Sequence, residues 1–388
     1  MKFLITVLVM VLTISQCVLG EVKEPKVYAQ GAVLIDFKTG RVLWQKNMNE
    51  ELPMASTTKI MTAILALESG MLEDVTVASK RASSAPQVKM GIKEGGKHRL
   101  YDLLYPLMLM SANDAAIVIA EHIGGSVEGF AQMMNEKAKE IGALNTEFVT
   151  PNGLDEGNHH STAYDMALIA RYALNNDEFV EIINTPSITI PLKNNDEKSY
   201  TFNNKNRLLK EYEGAIGVKT GFTGKAGNCF VGAAQRNGME LISVVLASGW
   251  GNSGKERKWS DTKNILNYGF ENYQISEVIT EDVNTGNVPV TKSKEGFVNT
   301  KTAESGFACV TEEELNSLKT VVNLKKSVEA PVKKNDVLGT ASVYTQSGEL
   351  LFQTDIVSCE NIERHDLNSC IKKTINLWLN CDFEFILN

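Results

Sequence analysis

Residues 57–68 read Thr-Thr-Lys-Ile-Met-Thr-Ala-Ile-Leu-Ala-Leu-Glu, a run that is apolar on nearly every face of a helix. A helix hydrophobic all round is a buried one, so this stretch predicts a central helix that the rest of the chain must enclose. A chain of 388 residues, 43% hydrophobic and with nine prolines, can supply that enclosure and has length enough for two domains. One residue breaks the pattern. Lys59 is surrounded by Ile60, Ala63, Ile64 and Leu67, and it stands three positions after Ser56, at the expected helix N-terminus. A lysine on an apolar face needs a reason.

Helical periodicity recurs over residues 101–110, 114–122, Val127–Ile141 and Ala163–Leu174. Strand patterns occupy 32–35 and 41–44 before these helices and 187–190, 227–234 and 240–247 after them, and a further helix is expected over 257–268. Strands at both ends with helices between them predict one sheet built from distant pieces, hence an α+β domain. Beyond Tyr273 short β-like runs divided by Asn, Gly and Lys predict a small all-β, sandwich-like second domain. The expected division is 1–20, 21–274, 275–362 and an amphipathic tail, 363–388. In that tail 371–379 carries apolar residues at helical spacing with lysines between, which fits either a peripheral membrane helix or a helix packed on the β domain.

The spacing of Ser56 and Lys59 makes a nucleophile and base pair on one helical face. A serine hydroxyl attacks only when its proton is taken, and no histidine is placed to take it, so a neutral Lys59 is the candidate base. Burial and the second lysine at Lys219 both disfavour the charged form. A helix N-terminus at Ser56 would also suit a developing oxyanion. Ser111-Ala112-Asn113 falls between two helical stretches, where a tight turn can aim Ser111 at a leaving amine and Asn113 at a peptide carbonyl. Capping of the following helix is the structural alternative. The run 214–224, containing Lys219-Thr220-Gly221-Phe222, reads as a glycine-flanked strand that lets a ligand backbone approach. There Lys219 and Thr220 offer a cation and a hydroxyl to a carboxylate, and an edge strand could pair with an extended peptide. Second copies of two of these patterns, Lys38-Thr39-Gly40 and Ser260-Asp261-Thr262-Lys263, come in the wrong order and read as a hairpin turn and a surface helix.

Several classes are argued against. The net charge is −8 with basic residues scattered, unlike a nucleic-acid-binding chain. The histidines show no metal-ligand spacing, so neither metal nor other cofactor is expected. Cys229, Cys309, Cys359, Cys370 and Cys381 form no disulfide framework and lack the partners that cysteine catalysis needs. Met1-Lys2, the uncharged run 3–12 and the small residues before Glu21 predict a cleaved export signal and an extracytoplasmic protein, with an uncleaved anchor as the alternative.

With these residues placed, the chain resembles the low-molecular-mass penicillin-binding proteins, serine D-alanyl-D-alanine carboxypeptidases that trim peptidoglycan stem peptides. The three motifs in order carry the resemblance, together with Pro151-Asn152-Gly153-Leu154-Asp155 and Ser161-Thr162-Ala163-Tyr164-Asp165-Met166-Ala167. It implies a β-lactamase/transpeptidase-like fold, attack by Ser56 on a D-Ala-D-Ala bond, acylation by β-lactams, and location on the outer face of the cytoplasmic membrane. It further implies an oxyanion hole from the backbone N–H groups of Ser56 and Phe222, and a terminal carboxylate held by Thr220 with a cation near Lys258. The family commonly has arginine at that position; here it is Lys258 with Arg257 adjacent, and lysine cannot make arginine's bidentate contact. Ala112 stands where glycine is frequent. Class A β-lactamases share the triplet, but their Glu-x-x-Leu-Asn context is approached only by Glu140-Ile141-Gly142-Ala143-Leu144-Asn145, one residue too long. A penicillin-binding sensor without turnover is the non-enzyme alternative.

Overall fold

The structure, a computed structural model, describes residues 23–191 and 199–379. The expected export signal, Cys381 and the end of the tail lie outside the described residues.

Five antiparallel strands form the sheet of the first domain: β1 (Gly31–Asp36), β2 (Val42–Lys46), β3 (Ala215–Thr223), β4 (Gly227–Arg236) and β5 (Met239–Leu246). Their spatial order is β2-β1-β5-β4-β3, so the N-terminal hairpin joins the later strands by pairing Val33 with Val244. The turn between β1 and β2 holds the first Lys-Thr-Gly copy, with Gly40 at φ +78°, where a glycine has no Cβ penalty. Every other residue of a half-buried strand would face water, yet β4 is buried from Gly227 to Ala234. Both faces are covered, which explains its continuous apolar pattern.

On one face lie α1 (Lys59–Glu68), α2 (Asn113–Gly124), α3 (Val127–Ile141) and α4 (Ala163–Leu174); on the other lies α5 (Gly251–Asn272). The central helix is enclosed as expected, with Lys59 through Ala66 all buried. It starts later than its sequence suggests. Residues Ala55–Thr58 form a 3₁₀ turn, tightened by the Thr57 hydroxyl donating to Met54 O (2.7 Å) and the Thr58 hydroxyl to Ala55 O (2.8 Å). Such local bonds compete with α-helical ones, so Ser56 sits in a tight turn and caps nothing. Likewise Pro106 ends the helix that begins at Leu100, and a π-turn, Pro106–Met110, carries the chain to Ser111. α5 is longer than its expected 257–268 because its first turns are polar and exposed, leaving no apolar period to read.

Residues from Gln274 onward are β-rich. A six-stranded sheet runs in the order Lys319–Leu324, Val337–Tyr344, Leu350–Ser358, Phe297–Thr302, Asn284–Thr291, Val328–Glu329, over a small core of Val288, Val290, Val298, Val332, Leu338 and Ile362. Gln274–Ile279 pairs separately with Gly306–Val310. Arg41, next to β2, reaches into this region and donates to the Cys309 carbonyl (2.6 Å), to Glu349 (3.0 Å) and to Glu314. The tail helix α6 (Leu367–Leu379) leaves Leu367, Ile371, Ile375, Leu377 and Trp378 exposed, so its apolar residues are not packed on the β domain. Among the described residues no helix is long and apolar enough to cross a membrane.

Candidate active site

Three elements converge where α1 meets the edge of the sheet. From the 3₁₀ turn comes Ser56, from the start of α1 Lys59, and from the start of α2 Asn113. Lys59 is fully buried, and its Nζ lies 2.9 Å from Ser56 Oγ, 2.8 Å from Asn113 Oδ1 and 2.5 Å from the Asn152 carbonyl. Burial first, and then the charge of Lys219, hold its pKa well below the usual lysine range, against the pull of Asp114. A neutral amine can donate its two N–H groups to the Asn113 and Asn152 oxygens and turn its lone pair to the Ser56 hydroxyl. Ser111 ends the π-turn in the left-handed region, at φ 71°, and its Oγ is buried without a partner among the described residues. Such strain is characteristic of functional positions.

The loop that presents the Asn152 carbonyl is fixed by residues the motifs do not contain. Gly153, at φ +78°, packs so closely that a Cβ would lie 2.0 Å from the Ala55 carbonyl oxygen. Behind it His159 bridges loop and turn: Val149 N–H donates to Nδ1 (2.9 Å), which leaves Nε2 to donate to Thr58 Oγ1 (2.8 Å). Burial, followed by the charges of His160 and Lys59, lowers the His159 pKa to about 4, so the ring is neutral. On the other side Asp114 accepts from the N–H groups of Met90, Gly91 and Ile92, while Asn113 donates its amide to Pro86 O (3.1 Å) and its N–H to Val88 O (2.8 Å). Segment 86–92 is thereby held as a wall of the cleft.

β3 forms the remaining wall and is an edge strand. In register with Val231 and Cys229, Lys219 and Gly221 face the helical side, and the position of a Gly221 Cβ would be 3.2 Å from Ser56 N. Thr220 is opposite Phe230, whose ring packs 4.7 Å from Trp259 of α5, so Thr220 and the exposed Phe222 lie on the α5 side. Lys258 is on that side too, its Nζ 5.1 Å from the centre of the Trp259 ring. Arg257 is not: its guanidinium stacks 4.5 Å from the Tyr28 ring. Of the two cations adjacent in sequence, Lys258 is the one whose charge acts on Lys219, since successive helical residues point about 100° apart and Arg257 is turned to Tyr28. Burial, then Lys258 and Lys205, lower Lys219 to about 7, and burial lowers Lys258 to about 8. The Ser260 copy of the first motif is exposed and its Lys263 pairs with Glu211 at 2.7 Å.

Ser56, Lys59 and Asn113 are thus brought together, with Lys219 and Gly221 on the same face of β3 and Ser111 two residues before Asn113, while Thr220, Phe222 and Lys258 lie on the α5 side and Arg257 apart. Asn152 and His159 were missed as individual residues. The stretch 151–155 carried a signal for the first; the His159-His160 pair among polar residues, with no partner at catalytic or ligand spacing, carried none for the second.

Residues 20–249 match the D-alanyl-D-alanine carboxypeptidase family of peptidases, and residues 273–364 match the C-terminal domain of penicillin-binding protein 5. The chain is 35% identical to D-alanyl-D-alanine carboxypeptidase DacF of Bacillus subtilis over 357 residues, 90% of each chain. It is 32% identical to DacC of Escherichia coli over 360 residues, 88% of this chain and 86% of that one. The solved penicillin-binding protein 5 of Haemophilus influenzae superposes with a TM-score of 0.72 at 27% identity, covering 88% of this chain and 99% of its own. The chain belongs to the low-molecular-mass penicillin-binding D-alanyl-D-alanine carboxypeptidases, serine-type hydrolases with a helix-and-sheet catalytic domain and a C-terminal all-β domain.

Proposed function

We propose that this protein removes the terminal D-alanine from peptidoglycan stem peptides through an acyl-enzyme on Ser56, and that β-lactams acylate the same hydroxyl. The observation that carries this reading is the buried Lys59 amine held 2.9 Å from Ser56 Oγ by two carbonyl oxygens. In the proposed cycle Lys59 takes the Ser56 proton and Ser56 attacks the penultimate carbonyl. Ser111, whose Oγ has no competing partner among the described residues, passes a proton to the departing D-alanine amine. The Asn113 amide orients the peptide, which lies along the edge of β3 beside Gly221. Backbone N–H groups of Ser56 and Phe222 hold the oxyanion. Thr220, Lys219 and Lys258 receive the terminal carboxylate; Arg257, stacked on Tyr28, has no part in it. Water then releases the acyl group.

The working division is an exported catalytic domain, 21–274, a β domain, 275–362, and a tail, 363–388, that lies on the outer face of the cytoplasmic membrane. Support for the last comes from the exposed Leu367, Ile371, Ile375 and Trp378 on a helix whose other positions include Lys372 and Lys373. Sedimentation with anionic vesicles is expected for the mature chain and lost on truncation after Asp366; equal sedimentation of both would refute the anchor.

The decisive assay supplies a peptide ending in D-Ala-D-Ala and a labelled penicillin to the wild type and to Ser56→Ala. D-Alanine release and a lasting adduct, both absent in the variant, are expected. Rapid penicillin turnover without D-alanine release would indicate a β-lactamase, and an adduct without peptide turnover a sensor.

A further inference from the structure

The edge of β3 is rich in donors, and among the described residues no carboxylate pairs with Lys219 or Lys258; Asp155, the acid at β3, accepts from the Thr223 hydroxyl (3.0 Å). Lys219, 2% exposed, has only the Thr220 carbonyl (3.0 Å) as a partner, and Lys258, 7% exposed, lies over the Trp259 ring with no carboxylate in contact among the described residues. The charged surroundings do not compensate. Lys219 is influenced by Lys258 and Lys205; Lys258 is influenced by Lys255, Arg207, Glu256 and the Cys229 thiol. Glu256 is occupied with Arg207 at 2.9 Å, and burial pushes the Cys229 thiol up to about 11, so it stays neutral. Asp114, on the Lys59 side, is taken up by backbone N–H groups.

Two buried ammonium groups flanking one strand without a counter-ion are costly, and the cheapest relief is loss of a proton. We propose that the carboxylate-terminated peptide binds together with a proton: the empty recess holds fewer than two charges on Lys219 and Lys258, and the bound anion restores both. This rests on the carboxypeptidase reading above. The share of it carried by Lys258 needs a lysine at that position, because an arginine there would keep its charge at every working pH. The step moves one proton from solvent to a lysine amine and breaks no other bond. Values near 7 and 8 for the two amines put the transition just above neutrality. As pH rises through them, the free enzyme loses protons that the complex retains, so affinity falls by up to about tenfold per pH unit per coupled proton.

Two measurements test this. Titration calorimetry of Ser56→Ala with a D-Ala-D-Ala peptide, in two buffers of different ionisation enthalpy, reads proton uptake directly. Uptake is expected to be close to zero near pH 6, to pass about one proton near pH 7.5 and to rise toward two at about pH 9; zero uptake throughout would overturn the proposal. In steady-state kinetics, KM should climb across the same interval in the wild type and markedly less in Lys258→Arg. A wild-type KM that stays flat, or an identical climb in both proteins, would also overturn it. D-Alanine release with a flat KM removes only the proton coupling, whereas no release at any pH removes the carboxypeptidase reading itself.

Discussion

In the proposed cycle Lys59 is the residue on which the chemistry turns, and its burial disfavours its charged form. Replacing it by alanine should slow penicillin acylation by about 10²–10⁴-fold, since general-base help is of that size; the acylation rate of labelled penicillin reads it. Because Lys59 must be neutral and Lys219 with Lys258 must be charged, kcat/KM should fall on both sides of an optimum, from loss of the base in acid and of the cations in alkali. His159 gives a stability prediction of definite sign. Its folded pKa, near 4, lies below the unfolded value of about 6.5, so the folded state binds fewer protons. The stabilisation is therefore complete above about pH 6.5 and is lost as pH falls toward about 4, by roughly 3 kcal/mol in all. Urea unfolding of His159→Gln should show a flatter acid dependence than the wild type over that interval.

At the scale of elements, the site depends on how three turns touch. The 3₁₀ turn carrying Ser56, the loop carrying Asn152 and the edge strand β3 meet through Gly153, where a Cβ would clash with the Ala55 carbonyl, and Gly221, where a Cβ would lie a tight 3.0 Å from the Met54 carbonyl oxygen. Gly153→Ala combines a left-handed residue with a Cβ 2.0 Å from a carbonyl oxygen. It should destabilise the protein by at least about 2 kcal/mol. It should also reduce penicillin acylation more than tenfold as the Asn152 carbonyl leaves Lys59, measured at a temperature where the variant remains folded. The helix over 101–110 was misjudged at its second half for the same kind of reason: Pro106 allows a turn with different bonding, and that turn delivers Ser111 in a conformation no helical pattern encodes.

For the whole molecule, the contact between the catalytic and β regions centres on Arg41. Its side chain is 9% exposed, and it holds Glu314, Glu349 and the Cys309 carbonyl at once. Arg41→Ala should cost about 1–3 kcal/mol, the worth of hydrogen bonds to charged groups, and lower the melting transition by calorimetry. D-Alanine release at room temperature should stay within about twofold, since Arg41 is remote from the cleft. An undiminished melting temperature would mean that the two regions are held together elsewhere.

Much of this was legible beforehand. Residues 57–68 announced a buried helix because an apolar pattern on every face has one stable location, and Ser56, Lys59, Ser111, Asn113 and Lys219 could be singled out as candidates because the proposed chemistry needs those residue types. The α+β class followed from strands at both ends of a helical middle. What the sequence could not decide was contact between distant segments. That Arg257 turns to Tyr28 while the charge of Lys258 acts on Lys219, that His159 braces the Ser56 turn, and that the Asn152 carbonyl meets Lys59 all depend on which surfaces face one another after folding. Local pattern records what each residue prefers; only close packing of remote segments decides which preference is met.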